Sequence, residues 1–233
     1  MREKIVYTND MMSLESLPSF AFVPQKQIAE ISDILFDIQQ DKQSEKAAGM
    51  MKIMAEKLKV SGLSGCRHEL GSISHARLID RAAAADKEAG KISDSFQTLY
   101  IGLCKENVLL DTMNKMLEKC IAEIEEASDV LREHIETAQT DRTQLRYIEL
   151  AKKKLHDMAI SKTVALQGMA LITDMTAHNS ALTERINSLR VNTLVLWRSD
   201  IAALKASPDK DKLERICGIE DVITAAIANI FKQ

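Results

Sequence analysis

Apolar residues recur in alternating steps of four and three from Ile92 through Phe96, Leu99, Leu103, Leu110, Met113, Leu117, Cys120, Ile124, Ala127 and Leu131 to Ala138. That spacing keeps them on one face of a helix. Two polar residues, Glu106 and His134, hold positions in the same frame. Followed backwards, the frame passes through Ala89, Ala85, Ala82 and Leu78 to His75, which predicts a single helix from about residue 73 to about residue 138. At about 1.5 Å per residue it would be roughly 100 Å long. A helix of that length cannot bury its own stripe, so it needs a partner helix from this chain or another. Between Pro24 and Pro208 there is no proline to interrupt it.

The remaining periodicities supply partners. Ile28, Ile31, Leu35 and Ile38 form a short face, and Ala47, Met51, Met54 and Leu58 form another after a polar interval, as two short helices or one kinked helix. Gly62, Gly65 and Gly71 mark a loop rich in serine, with Ser72 as the N-cap of the long helix. The polar stretch 137–144 breaks the stripe and predicts a turn. A second long stripe follows, through Ile148, Ala151, Leu155, Met158, Ala165, Met169, Ile172, Leu182, Ile186, Leu189 and Leu196, ending near Ala206. Leu213, Ile216, Ile219, Ile223, Ile227 and Ile230 make a final helix, with Ser207 or Asp209 as its cap. The expected fold is all-α: an elongated antiparallel bundle in which a long helical hairpin carries shorter N- and C-terminal helices. Residues 1–24 lack a sustained period and read as a flexible tail, partly disordered or lying on the body, with a docking peptide for a partner as the alternative; their removal should leave folding intact. Residues 25–233 read as one domain, since no linker-like composition divides them.

Composition narrows the class further. Aromatic residues are 4% of the chain, too few for a sheet core built on them. The net charge of −3 comes from 31 basic and 34 acidic residues mixed along the sequence, so nucleic acid is not an expected partner. Cys66, Cys104, Cys120 and Cys217 are widely spaced, as expected for reduced thiols in the cytoplasm. The start MREKIVYTNDMMSLESLP has no apolar run of the secretory kind, and no uncharged stretch approaches the roughly 20 residues that span a bilayer. A soluble chain is expected.

Candidate chemistry is sparse. Cys66, His68 and His75 lack a fourth ligand at a metal-site spacing, and His156, Asp157 and His178 are isolated on helices. No metal and no cofactor is expected. There is no nucleophile elbow, and Cys104 and Cys120 read as small core residues. Glu123, Glu125 and Glu126 read as a solvated face, and the paired and clustered methionines, such as Met50 and Met51 or Met113 and Met116, as core filler. The chain is therefore expected not to be an enzyme. Glu106 and His134, polar within an apolar stripe, are its unusual positions. Glu106 is expected to form a polar layer that fixes helix register, paired with a basic group of the returning helix, with a binding site as the alternative.

The segment from Tyr147 to Ile201 carries a resemblance. Lys162 and Thr163 precede Leu166 and Gln167; His178 and Asn179 lead to Leu182, Arg185 and Ile186; Leu196, Trp197 and Arg198 close the helix. In that order and register the residues resemble the core of the TelA-like toxic anion (tellurite) resistance family. The family pattern tends to have proline near Ala170 and Val195 and glutamine near Leu171 and Thr176, which this chain lacks. Upstream segments are similar in pattern more than in identity.

The resemblance implies a bacterial, cytoplasmic protein of resistance to tellurite and envelope stress, with the inner face of the membrane as a second location. It implies action through protein–protein interaction with other stress or tellurium-resistance proteins, some of them membrane-embedded, and supplies no catalytic residues. Gln167, Asn179, Trp197 and Arg198 are the expected partner-binding residues, against an alternative in which Trp197 plugs the core. Two other readings remain: a scaffolding helical bundle unrelated to toxic anions, and thiol-dependent handling of an anion or metal through Cys66 and His68. A homodimer also stays open, because a second chain could cover the long stripe.

Overall fold

The computed structural model describes residues 13, 15–40, 49, 52, 53, 55, 56, 63, 74–138, 145–207 and 209–230. Among them there is no strand. A 3-10 turn at Leu17–Ser19 leads into α1 (Phe22–Gln40), followed by α2 (His75–Ala138) and α3 (Leu145–Ser188). A π turn at Leu189–Thr193 joins α3 to α4 (Leu194–Ala206), and α5 (Lys210–Ile230) follows. The all-α class is as the sequence predicts. The cap of α2 is Ser74, two residues beyond the expected Ser72: its Oγ accepts the Arg77 N–H at 3.4 Å. Asp209 caps α5, accepting the Asp211 N–H at 3.3 Å. Of the turn expected across 137–144, Thr137 and Ala138 still belong to α2 and residues 139–144 lie outside the described residues, as does the face through Ala47, Met51, Met54 and Leu58.

Contacts group the chain into two compact units. Unit 1 comprises residues 1–40 and 108–176; unit 2 comprises residues 41–107 and 177–233. In unit 1 the second half of α2 and the first half of α3 run antiparallel. Lys162 Nζ donates to Glu125 Oε1 at 2.6 Å, Ser128 lies against Met158, and the rings of His134 and Tyr147 meet edge to face with centroids 5.5 Å apart. As residue numbers fall on one helix they rise on the other, which is the hairpin predicted from the two stripes. α1 adds the third wall through Ile28, Ile31 and Leu35. Gly168 permits the close approach, because a Cβ there would stand 3.2 Å from Leu117 Cδ1 and 3.4 Å from Leu35 Cδ1.

The unit 1 core also takes in Leu17, Phe20 and Ala21, and Pro24 is buried as well. The last residues of the expected tail lie on the body: Leu17 and Phe20 bury apolar side chains that no helical period could have revealed. Ala21 adopts φ 54°, a left-handed conformation that costs a non-glycine residue about 1 kcal/mol and persists where neighbours fix it. Lys154 Nζ on α3 donates to the Pro18 carbonyl at 3.2 Å and to Gln25 Oε1 at 2.8 Å, tying this turn to the hairpin. Burial lowers the Lys154 pKa, against an opposing pull from Asp157.

In unit 2 the first half of α2 buries Leu78, Ala82, Ala85, Ala89, Ile92, Phe96 and Leu103, the residues of the predicted frame. Facing them are Leu182, Ile186, Leu189, Leu194, Trp197, Ile201 and Leu204, with Leu213, Ile216, Cys217, Ile223 and Ile227 from α5. α5 is pinned to α4 by Arg215, whose Nε and Nη2 donate to the two carboxylate oxygens of Asp200 at 2.7 Å each. Glu220, 2% exposed, accepts the Leu63 N–H at 2.9 Å and holds that otherwise buried residue against α5.

Candidate functional site

The π turn is the feature that sets the geometry of the family-like segment. A π turn holds one more residue than an α turn, so it rotates everything after it relative to the face before it. The α-helical frame from Leu189 leads to Leu196, yet Leu196 is 54% exposed and Trp197 is fully buried. The expected core position thus moves one residue along the chain. Val195 and Leu196 face outward, as does Val191 on the π turn itself. A polar side chain completes this outer face: Arg198, whose Nε donates to Asp86 Oδ1 at 3.0 Å.

Asp86 joins two helices of unit 2, since Lys205 Nζ also donates to its Oδ2 at 3.3 Å. Desolvation by burial would raise the Asp86 carboxyl, but the hydrogen bonds and charges of Arg198 and Lys205 outweigh it and hold its pKa below the ordinary carboxylate value. A depressed folded-state pKa means stability that is present above the unfolded value and lost as pH falls through the folded one. Asp86→Asn is therefore expected to lower the melting temperature at neutral pH, with the gap to the parent closing below about pH 4. Parallel melting curves against pH for the two proteins check this, and a gap independent of pH contradicts it.

Around Glu106 the structure supplies a polar layer within unit 2. Asn179, 6% exposed, donates from Nδ2 to Glu106 Oε1 at 3.0 Å, and its carbonyl accepts the Thr183 hydroxyl at 2.7 Å. Next to it Asn107 Nδ2 donates to Ser180 Oγ at 3.4 Å, while its buried Oδ1 has no partner. The basic partner expected for Glu106 is replaced by an amide, which satisfies the carboxylate without burying a second charge. Glu106→Leu would strand the Asn179 amide and is expected to cost about 1–3 kcal/mol, with Glu106→Gln nearer neutral because it keeps an acceptor. Chemical denaturation reads both, and equal costs would contradict the assigned hydrogen bond.

The four residues expected to form a partner surface do not lie on one exposed face. Asn179 and Trp197 are buried in unit 2, Arg198 is exposed there in its bridge to Asp86, and Gln167 is exposed in unit 1. His134, the other polar residue of the stripe, packs against Tyr147. Sequence reasoning missed Val191, Val195 and Leu196 as an outward apolar group, because a π turn leaves no mark in hydrophobic periodicity.

Other candidates resolve simply. Cys66 and His68 lie outside the described residues, as does the side chain of His75, while His156 and His178 are exposed. No group of three or more metal-ligating side chains occurs among the described residues. Burial, aided by Glu123, pushes the Cys120 thiol up to about 11, so little of it is thiolate at neutral pH. Lys119 pairs with Glu123 and Lys162 with Glu125, but of the glutamates expected on a solvated face only Glu125 is exposed, Glu123 and Glu126 being half-buried beside Ile124 and Ala127 of the core. No helix among the described residues is long and apolar enough to cross a membrane.

Comparison with known families finds a match over residues 6–224 to the family described as Toxic anion resistance protein (TelA). Neither the curated proteins nor the solved structures compared contain a match.

Proposed function

We propose, because this chain belongs to the toxic anion resistance (TelA) family, that it contributes to resistance by binding other proteins through the outer face of the π turn and α4. Family membership suggests the resistance role. The observation that supports the protein-binding mode is the outward set Val191, Val195 and Leu196, respectively 49%, 59% and 54% exposed beside Arg198. Large apolar side chains grouped at a surface lose solvent contact favourably when a partner covers them. Arg198, held toward Asp86, gives that patch a polar rim. The partner in this reading is another resistance protein, met in the cytoplasm or at the inner face of the membrane, and the chain acts without catalysis.

The test is crosslinking in the host during tellurite challenge, comparing the tagged parent with a Val195→Glu, Leu196→Glu double variant. Both positions are exposed, so the variant is expected to keep its melting temperature. Recovery of a defined partner by the parent, with loss of most of it by the variant, is the expected result. Equal recovery by both would move the interface elsewhere, and recovery of the chain alone would favour self-association.

A further inference from the structure

We propose that the outward face of α1 in unit 1 is a self-pairing surface, on which a second copy of this chain lays its own α1 antiparallel, about a two-fold axis at Ala29. The inner side of α1 is taken up by the core through Ile28, Ile31 and Leu35. Phe22 and Phe36 on the same helix are nevertheless 55% and 58% exposed, whereas Phe20 and Phe96 are buried. Ala29 is exposed midway between the two outward rings. Phe22, Ala29 and Phe36 follow at steps of seven residues, which sets them on one line along the helix with a drift of about 20° per step. At about 1.5 Å per residue the line is roughly 21 Å long. Val23 and Ile34 are exposed as well, but about a third of a turn away at 3.6 residues per turn, outside this seam.

The spacing of this seam selects its occupant. In a two-fold contact residue i of one copy meets residue j of the other, and j meets i. With the axis at Ala29, each residue meets the one equally far along on the opposite side, so Phe22 meets Phe36 of the second copy and Phe36 meets its Phe22. Aromatic rings then pair at both ends of the seam, and the small side chain at its centre lets the two helices approach. Charge obeys the same rule. Lys26 stands three residues before Ala29 and Asp33 four after it, both exposed and both on one flank of the line. The axis turns that flank against itself and brings each Lys26 to within one residue's rise, about 1.5 Å, of the level of the other copy's Asp33. Two ion pairs of opposite charge result, and a parallel pairing forms neither. Lys26 lies 3.7 Å from Glu30 of its own helix, with both side chains 60% exposed, a weak contact that leaves the ammonium free to reach across. Ring, small residue and opposite charges mirrored about one position are what a second copy supplies.

This inference goes beyond the binding of another resistance protein and does not depend on it, because it uses no residue of the π turn or α4. It also differs from a dimer in which a second chain covers the long stripe of α2, since that stripe is buried within each unit.

Analytical ultracentrifugation of the purified full-length protein, with its thiols kept reduced, reads the monomer–dimer equilibrium directly. The parent is expected to dimerise with a Kd of about 10–100 µM, in keeping with an interface of one short helix face. Ala29→Glu sets two carboxylates at the axis and should raise Kd about tenfold or more, while the dilute protein keeps the parent's melting temperature because the position is exposed. Lys26→Asp or Asp33→Lys alone creates two like-charge contacts per dimer and should weaken it about fivefold at low salt. The two changes together restore opposite charges and should bring Kd back to within about twofold of the parent. That rescue reads the antiparallel register, which a merely general effect of charge would not produce. A parent that stays monomeric at about 500 µM, far above the range expected of such an interface, overturns the proposal and leaves the face to a different partner. A dimer whose Kd is unmoved by Ala29→Glu overturns it too, placing self-association elsewhere, and failure of the charge exchange to rescue overturns the antiparallel pairing. None of these outcomes bears on the Val195→Glu, Leu196→Glu result.

Discussion

Trp197→Ala is expected to destabilise the protein by about 3–5 kcal/mol, the cost of emptying a tryptophan-sized space in a packed core. For a chain of this size that corresponds to a fall of roughly 10 °C in melting temperature. The indole is fully buried in unit 2, in a cluster with Ala82, Ala85, Ala89 and Phe96 of α2. Small alanines allow α2 to come near, and the Arg198–Asp86 bridge fixes the level at which α4 meets it. The indole N–H itself has no acceptor, which subtracts from what the ring contributes. Trp197→Phe keeps an aromatic ring and removes that donor, so it should cost distinctly less than alanine. Thermal melts of the two variants decide the matter. A Trp197→Ala protein that melts with the parent would show that the indole is not a core residue.

Deleting residues 1–21 is expected to destabilise unit 1 by about 3–6 kcal/mol, since Leu17 and Phe20 each bury a large apolar side chain worth about 1.5–3 kcal/mol. The deletion also takes the Pro18 carbonyl that receives the Lys154 ammonium, leaving that half-buried cation with Gln25 as its remaining acceptor there. This expectation reverses the one drawn from the sequence, where the segment had no period to mark it as part of the core. Chemical denaturation of the truncated protein, followed by helical signal, measures the cost. Leu17→Ala and Phe20→Ala should each reproduce a part of it, and a truncated protein as stable as the parent would place the turn outside the core.

Most of the fold was legible because long helices announce their buried faces. From Ile92 to Ala138 every apolar member of the predicted stripe is buried or half-buried, since the spacing of 3.6 residues per turn leaves it nowhere else to point. Legibility ended where that regularity ended. Leu17 and Phe20 flank a turn that follows no period, and only their packing against other segments shows their role. The added residue of the π turn exchanged Leu196 for Trp197 on the buried side. Glu106 was readable as an anomaly in its stripe, but its partner was not, because an asparagine on another helix satisfies a carboxylate as a lysine or arginine would. The division into two units was hidden too, because both long helices run through it without any break in sequence.

The central claim is that resistance depends on the outward face of α4, with Trp197 serving the core behind it. The most direct test is to complement a host strain lacking the chain with the parent or with the Val195→Glu, Leu196→Glu variant, and to measure the tellurite concentration that stops growth. Both proteins must first be shown to accumulate equally and to melt alike. The account predicts that the parent restores resistance and the variant does not. Full restoration by the variant would contradict it.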